Sequence, residues 1–311
     1  MSIALLCPGQ GAQSPGFLDR LPRHPAVTAT LDEASAALGQ DVRSLDDAAA
    51  LESTVAVQLT TVVAGVAAGR VLAAEDGAPD AVAGLSVGTF TAAVLAGALP
   101  LAEAVRAVRL RAELMEGAFP RGFGLAAVVG LPERRVAALV AEVTGRGPLH
   151  VANVNAPAQI VLAGADAALD EVLDRARVAG ARRTERMAVA VPSHCALLAP
   201  VAARLAAALR DVALSDARVP YVTSGRARPT RDRERIRDDL ARNVMEPVRW
   251  HDATTVLVEL GVRLFLEVPP GRTLATLAAE AFPEARAVAV EDAGAAAAAA
   301  LARRERRLEP L

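Results

Sequence analysis

Apolar and polar positions fall into blocks along this chain. Ile3–Cys7 is a short, unbroken apolar run that stops at Pro8-Gly9-Gln10-Gly11, and Asp80–Gly84 is a second run ending in glycine. Short runs that are apolar at nearly every position and closed by turn residues predict strands buried on both faces. Val27–Leu38, Val55–Ala68, Thr89–Ala96 and Leu101–Phe119 predict helices, the last with arginines on its exposed side. Strands and helices in alternation predict an α/β fold with a parallel sheet covered on both faces.

The pattern changes after Pro120-Arg121-Gly122. Leu125–Leu131 predicts a strand and Pro132–Val143 a helix. His150–Val154 and Gln159–Ala163 predict two strands separated by Asn155-Ala156-Pro157. Asp166–Ala179 predicts a helix and Arg183–Val191 a strand. The order βαββαβ is the ferredoxin-like arrangement. It places a subdomain at 122–191, inserted into a larger domain made of 1–121 and 192–311. In the second half, Ala196–Leu209 has i,i+4 apolar spacing, and Val262–Val268 predicts a strand ended by Pro269-Pro270-Gly271. The alanine-rich tail Ala295–Arg307 predicts a helix with arginines at its C-terminal end.

Composition narrows the function. The 311 residues are 53% hydrophobic, enough for a large core, and the formal net charge of -2 leaves no nucleic-acid footprint. All 34 basic residues are arginine, which excludes Schiff-base chemistry and a phosphate-loop lysine. Only two cysteines, Cys7 and Cys195, predict reduced thiols in a cytoplasmic protein. The N-terminus has no basic region preceding its apolar run, so no signal peptide is expected. The uncharged run Ala81–Ala102 has the length of a membrane span, but glycines and Pro100 interrupt it. A strand, a tight turn and a buried helix account for it better, and no membrane is expected. No C-x-x-C or H-E-x-x-H spacing occurs, so no metal is expected.

Gly84-Leu85-Ser86-Val87-Gly88 is a G-x-S-x-G between a predicted strand and a predicted helix. Such a turn holds a serine out where base and substrate both reach it, and aims the next N–H, that of Val87, at a developing oxyanion. The alternative is a small-residue turn that merely lets helix and strand pack closely. Of the four histidines, His194 lies between a strand and a helix on the C-terminal side of the insert, where a base for Ser86 belongs. The alternative there is a helix-capping or core histidine. At a helix N-terminus the dipole would keep it neutral. The glycine turn at Pro8–Gln13 fails as a dinucleotide fingerprint because Ser14 stands at the third glycine position. Beside the Ser86 turn, the Gln10 N–H is a candidate second oxyanion donor.

With these residues the chain resembles the malonyl-CoA:acyl-carrier-protein transacylase family, from the first strand to the end. Pro8-Gly9-Gln10-Gly11 resembles the family's N-terminal PGQG. Gln58 stands at its active-site-facing glutamine, Ser86 at its nucleophile and His194 at its base. Arg111 stands at the arginine that grips the malonyl carboxylate; as a bare residue beside Arg106 and Arg109 it reads as a solvated helix face. Asn155 and Gln159 fall in a segment like the family's N-x-P-x-Q, where Asn155 is expected to contact substrate, and Glu267–Gly271 resembles its closing E-x-G-P-G. The resemblance implies an α/β-hydrolase-like domain with a ferredoxin-like insert. It implies a ping-pong reaction: Ser86, deprotonated by His194, takes malonyl from malonyl-CoA, with Gln10 and Val87 N–H groups on the oxyanion. The phosphopantetheine-type thiol of a carrier protein then takes the malonyl group. Malonyl-CoA is a substrate, and no cofactor is implied.

Three positions depart from the fatty-acid pattern. Leu85 replaces a histidine and Thr89 a glutamate. Asn243 replaces a glutamine whose backbone carbonyl orients the base. The loop Gly84–Phe90 and the start Cys7-Pro8-Gly9-Gln10 are more similar to the epsilon subunit of malonate decarboxylase. The expected acceptor is therefore the decarboxylase carrier protein, with the acyl carrier protein of fatty-acid or polyketide synthesis as the alternative. Leu85 and Thr89 are expected to reshape the rim that the carrier arm passes. A serine acyl hydrolase and a non-catalytic carrier-binding scaffold are the rivals from other classes. The arginines at Arg226–Arg237 read as an ion-paired, solvated face.

Overall fold

The computed structural model describes residues 2–119 and 121–308. Pro120, where the sequence pattern changes, lies outside the described residues, as do Met1 and the last three positions. In chain order the strands are β1 (Ile3–Cys7), β2 (Ala81–Gly84), β3 (Phe123–Val129), β4 (Leu149–Ala156), β5 (Gln159–Ala165), β6 (Arg183–Arg186), β7 (Tyr221–Val222), β8 (Pro229–Thr230), β9 (Leu264–Glu267) and β10 (Arg286–Ala289). They form a six-stranded sheet ordered β10-β9-β1-β2-β7-β8 and a four-stranded sheet ordered β4-β5-β3-β6. The larger sheet is parallel except for its edge strand β8. The smaller is antiparallel throughout, in ferredoxin-like order.

Burial explains the apolar strands. In β1, Ile3, Leu5 and Cys7 join the core on one face of the large sheet, and Ala4 and Leu6 join the core on the other. Successive side chains point to opposite faces, so a strand covered on both sides must be apolar at every position. Helices Pro25–Leu38, Leu101–Ala118 and Gly88–Leu95 pack around helix Thr54–Ala74. That helix is long and apolar enough to cross a membrane, yet 89% of its most apolar window is buried inside the fold. The uncharged run Ala81–Ala102 is β2, a turn, helix Gly88–Leu95 and the start of the next helix. Arg303 and Arg306 reach the carbonyls of Glu75, Asp76 and Ala78, capping the C-terminal end of helix Thr54–Ala74.

The small sheet has two different faces. Helices Glu133–Glu142 and Asp166–Val178 pack with one face into a core of their own. The other face, with Leu125, Val161 and Ala163, meets Cys195 and turns toward the large sheet. That second face roofs the cleft described below.

Several elements differ from the sequence expectation. The strand expected over Arg183–Val191 ends at Arg186; the Met187 N–H still donates to the Leu125 carbonyl at 3.0 Å, and Met187 and Val189 line the cleft. β4 runs on through Ala156 with two register shifts, one between Val151 and Asn153 and one between Val154 and Ala156. Bulges re-aim side chains, and here both Asn153 and Asn155 line the cleft. Helix Ala196–Leu209 splits into a 3-10 turn at Ala196–Leu198 and an α-helix from Ala199. Helix Arg233–Arg242 gave no apolar stripe because only Ile236 and Leu240 among its large apolar residues are buried. Its charges pair as expected, Arg237 with Glu234 and Arg242 with Asp238 and Glu246.

Candidate active site

Ser86 sits where the sheet dictates, at the C-terminal end of β2 beside the end of β1. The crevice beyond strand ends in a parallel sheet is the natural place for a ligand. Its φ of 56° is in the left-handed region, which a non-glycine residue adopts only when its surroundings enforce it. The flanking glycines supply that enforcement. A Cβ on Gly88 would lie 2.1 Å from the Cys7 carbonyl oxygen, and one on Gly84 2.3 Å from the Gly88 backbone. The motif's glycines are thus required by close approach of backbones, and the serine takes the strained conformation.

His194 comes from the loop after β6 and is also left-handed, with φ 64°. Its N–H donates to the Val244 carbonyl at 2.8 Å. Its Nδ1 lies 2.6 Å from the Asn243 carbonyl oxygen and its Nε2 2.8 Å from Ser86 Oγ. A carbonyl only accepts, so Nδ1 carries the proton and Nε2 is left to accept from the serine hydroxyl. That is the tautomer a general base needs. Asn243 supplies this carbonyl as the cap residue of helix Arg233–Arg242. Among the other histidines, His24 caps a helix by accepting from the Ala26 N–H, and His251 stacks on Phe282. Neither these nor His150 lines the cleft.

Arg111 is fully buried, unlike its neighbours Arg106 and Arg109, so the solvated-face reading does not hold. Nη1 donates to Gln58 Oε1 at 2.5 Å, and Nη2 to Ser86 Oγ at 3.2 Å and Asn243 Oδ1 at 3.5 Å. Nε has no partner among the described residues. No carboxylate contributes to its titration; burial alone lowers its pKa to about 9, and it stays charged at neutral pH. Gln58, from helix Thr54–Ala74, donates in turn to Gln10 Oε1 at 3.2 Å. The His194 pKa falls to about 4, first through burial and then through the charge of Arg111. The neutrality expected of His194 is present, but its cause is not a helix dipole: the α-helix starts only at Ala199.

A cleft of about 240 Å³ opens over these groups, lined by Ser86, His194, Gln10, Leu85 and Asn155 among others. The backbone N–H groups of Gln10 and Val87 donate to no group among the described residues. Asn155 Oδ1 is buried without a partner. All the residues expected at the site are therefore brought together, except that Thr89 is not at the rim. It is fully buried behind Ser86, where Asn243 Nδ2 donates to its hydroxyl at 3.0 Å. Sequence reasoning also passed over Glu267 as a site group. It is buried beside the cleft, accepts from the Ala275 N–H at 2.7 Å, and has a pKa raised to about 7 by burial.

Comparison with known proteins agrees with this arrangement. A family model described as the acyl transferase domain matches residues 4–308. The malonyl CoA-acyl carrier protein transacylase of Escherichia coli (strain K12) is 36% identical over 303 residues, covering 96% of this chain and 98% of that protein. The solved structure of the malonyl CoA-acyl carrier protein transacylase from Coxiella burnetii matches with a TM-score of 0.92 at 31% identity, covering 98% of both chains. A malonyl-transacylase solved in complex with its type II PKS acyl-carrier protein matches with a TM-score of 0.91 at 34% identity, covering 96% of this chain and 99% of that one. The chain belongs to the acyl transferase domain family, and within it to the malonyl-CoA:acyl-carrier-protein transacylases.

Proposed function

We propose that this chain is an [acyl-carrier-protein] S-malonyltransferase in which Ser86 is the nucleophile and His194 the base. The observation that carries the substrate assignment is Arg111: a buried, charged guanidinium without a carboxylate partner, bonded to Ser86 Oγ itself. Leaving such a charge unpaired is costly, and a planar fork suits a carboxylate that offers two oxygens. An acyl group ending in a carboxylate and attached at Ser86 would supply the missing anion.

The reaction divides into two similar halves. Neutral His194 accepts the Ser86 proton at Nε2 while the Asn243 carbonyl holds Nδ1–H. Ser86 Oγ attacks the thioester carbonyl of malonyl-CoA, and the N–H groups of Gln10 and Val87 receive the negative oxygen. The intermediate collapses, and the CoA thiolate leaves with the proton from His194. The carrier thiol then repeats the attack on the malonyl ester, giving its proton to His194, which returns it to Ser86. Gln58 holds Arg111 in place, and Asn155 offers its free Oδ1 to an amide of the incoming arm. Residues 122–191 act as a subdomain that roofs the cleft.

For the acceptor, we infer an acyl carrier protein of fatty-acid or polyketide type. The relatives described above are named for acyl carrier protein. The contrary expectation, the malonate decarboxylase carrier, rests on the likeness of Gly84–Phe90 and the Cys7-Pro8-Gly9-Gln10 start to the epsilon subunit, with Leu85 and Thr89 read as rim residues. Thr89 is buried and does not form the rim, so of the two rim positions only Leu85 lines the cleft.

Brief incubation with malonyl-CoA should add one malonyl group to the intact mass, and Ser86→Ala should abolish the gain. Arg111→Ala should lose about 2–5 kcal/mol of transition-state stabilisation with malonyl-CoA and little with acetyl-CoA, shifting the preference between them. An unchanged ratio of the two kcat/KM values would remove Arg111 from substrate recognition.

The pH profile tests the base. His194 is depressed by burial and by Arg111, so its neutral, active form persists well below the ordinary histidine range. Acylation measured as kcat/KM should stay level from neutral pH down to about pH 5 and fall only as pH approaches the lowered value. An acid limb centred at about 6.5, the unperturbed histidine value, would place the base in water and contradict the assignment.

Acceptor choice is tested by competition between a fatty-acid acyl carrier protein and a malonate decarboxylase carrier from one source, each with its prosthetic arm. The higher kcat/KM is expected with the acyl carrier protein. A clear preference for the decarboxylase carrier would reinstate the reading from the nucleophile loop.

A further inference from the structure

Thr89 takes no part in the reaction as written above, yet its hydroxyl joins the two halves of the proposed dyad. Thr89 Oγ1 donates to the Ser86 carbonyl at 2.8 Å and accepts from Asn243 Nδ2 at 3.0 Å. The Asn243 carbonyl accepts from His194 Nδ1 at 2.6 Å, and His194 Nε2 accepts from Ser86 Oγ at 2.8 Å. Four contacts close a ring that runs Ser86, His194, Asn243, Thr89 and back to Ser86.

The directions in this ring are determined. A hydroxyl has one proton, and giving it to the Ser86 carbonyl leaves lone pairs for the Asn243 amide. That amide has one sensible orientation. Nδ2 faces Thr89 Oγ1 and the Leu240 carbonyl, the latter at 3.4 Å, while Oδ1 faces Arg111 Nη2 at 3.5 Å. Turning the amide over would set oxygen against oxygen at Leu240 and N–H against the guanidinium.

A threonine in the first turn of a helix often bonds back to the carbonyl three residues before it. That accounts for the contact with Ser86. It does not account for the contact with Asn243, which spans 154 residues of sequence between two fully buried or nearly fully buried side chains. Ser86, His194 and Asn243 otherwise arrive on separate elements: the turn after β2, the loop after β6 and the end of helix Arg233–Arg242. Helices Gly88–Leu95 and Arg233–Arg242 do touch, and Thr89 to Asn243 is the side-chain hydrogen bond between the first turn of one and the cap of the other.

We propose that Thr89 is a positioning residue: through Asn243 it holds the base-orienting carbonyl in register with the nucleophile turn, keeping His194 Nε2 within proton-transfer distance of Ser86 Oγ. The inference rests on Ser86 and His194 forming the working dyad. Thr89 does not line the cleft, so its effect belongs to the chemical step and not to substrate binding. Proton transfer requires heavy atoms within hydrogen-bond reach, so a small drift of the carbonyl is felt at Nε2.

The test is a set of variants assayed for malonyl transfer from malonyl-CoA. Thr89→Val keeps the shape and removes the hydroxyl. It should lower kcat about tenfold, the scale of buried hydrogen-bonding groups left without their partner, with KM for malonyl-CoA unchanged. Thr89→Ser keeps the hydroxyl and should restore kcat to within about twofold of the parent. Asn243→Ala removes the amide and leaves the backbone carbonyl; in that background Thr89→Val should cost less than about twofold more, because the two residues act as a unit. Thermal unfolding checks that each variant is folded, and Thr89→Ala, judged by the same rates, takes the place of Thr89→Val if valine prevents folding. Parent-level kcat in the variant without the hydroxyl would overturn the proposal. So would an undiminished loss in the Asn243→Ala background, or a loss in Thr89→Ser as large as in Thr89→Val. Ser86→Ala separates the two levels of failure: a malonyl adduct on that variant defeats the functional reading, whereas no adduct together with a parent-like Thr89→Val defeats only the role of Thr89.

Discussion

Arg111 carries a positive charge into a part of the fold that excludes water, and the other polar groups of the site are arranged around that charge. Burying an ion without an opposite charge is among the least favourable acts in folding. Here the cost is reduced by neutral oxygens: Gln58 Oε1, Ser86 Oγ and, more distantly, Asn243 Oδ1. None of these is an anion, so the site keeps a positive potential directed at the serine oxygen. That potential has three consequences. It stabilises negative charge on Ser86 as the proton leaves. It disfavours a second cation on His194, which keeps the imidazole neutral and basic in form. It also leaves a guanidinium edge that a carboxylate on the acyl group would satisfy better than water or an amide does.

These effects oppose each other in one respect. A base whose protonated form is disfavoured is a weaker base, so Arg111 would slow the proton transfer it prepares. Under the proposed function the bound substrate offsets this. Once a malonyl carboxylate neutralises Arg111, the field on His194 falls and the imidazolium formed during attack becomes easier to accommodate. An acetyl group brings no such compensation. Selectivity for a dicarboxylic acyl group then has two sources, attraction in the ground state and relief of the base during reaction, and only the second raises kcat.

Much of the fold was legible in the sequence because burial on both sheet faces leaves an unmistakable signature. Ile3–Cys7 and Ala81–Gly84 are apolar throughout for that reason, and the βαββαβ order followed from strand and helix runs of ordinary length. Ser86 was legible because its glycines cannot be replaced without backbone collision. His194 was legible by position, since a base for a serine at a strand end must come from a neighbouring strand end. Arg111 was not legible from the residues alone. The charges of Arg106, Arg109 and Glu113 on the same helix look like one solvated face, whereas Arg111 shares the buried face of Ala104, Val108 and Met115 and meets Gln58 on the helix packed against it. Thr89 was misplaced for a similar reason. Its distance from Ser86 along the chain suggested the rim, whereas one helical turn carries it behind the serine toward Asn243. The second-half strands Tyr221–Val222 and Pro229–Thr230 are two residues each, too short for any pattern to mark them.

In the proposed reaction, transfer in place of hydrolysis is favoured by where Ser86 and His194 lie. His194 is 3% exposed and Ser86 is only partly open, at the bottom of a cleft whose upper wall is the inner face of the small sheet. That wall, with Leu125, Val161, Met187 and Val189, is apolar, as are Leu85 and Leu277 opposite. In the proposed reaction a long thiol-bearing arm covers these apolar walls with its methylenes, displacing water, and offers its amide to Asn155 Oδ1. After CoA departs, the proposed ester on Ser86 would then meet mainly a nucleophile that can fill the cleft. A hydrolase built on the same turn would need a polar route for water to His194 Nε2. Residues of the small sheet roof the cleft, so in the proposed reaction they take part in the choice between thiol and water.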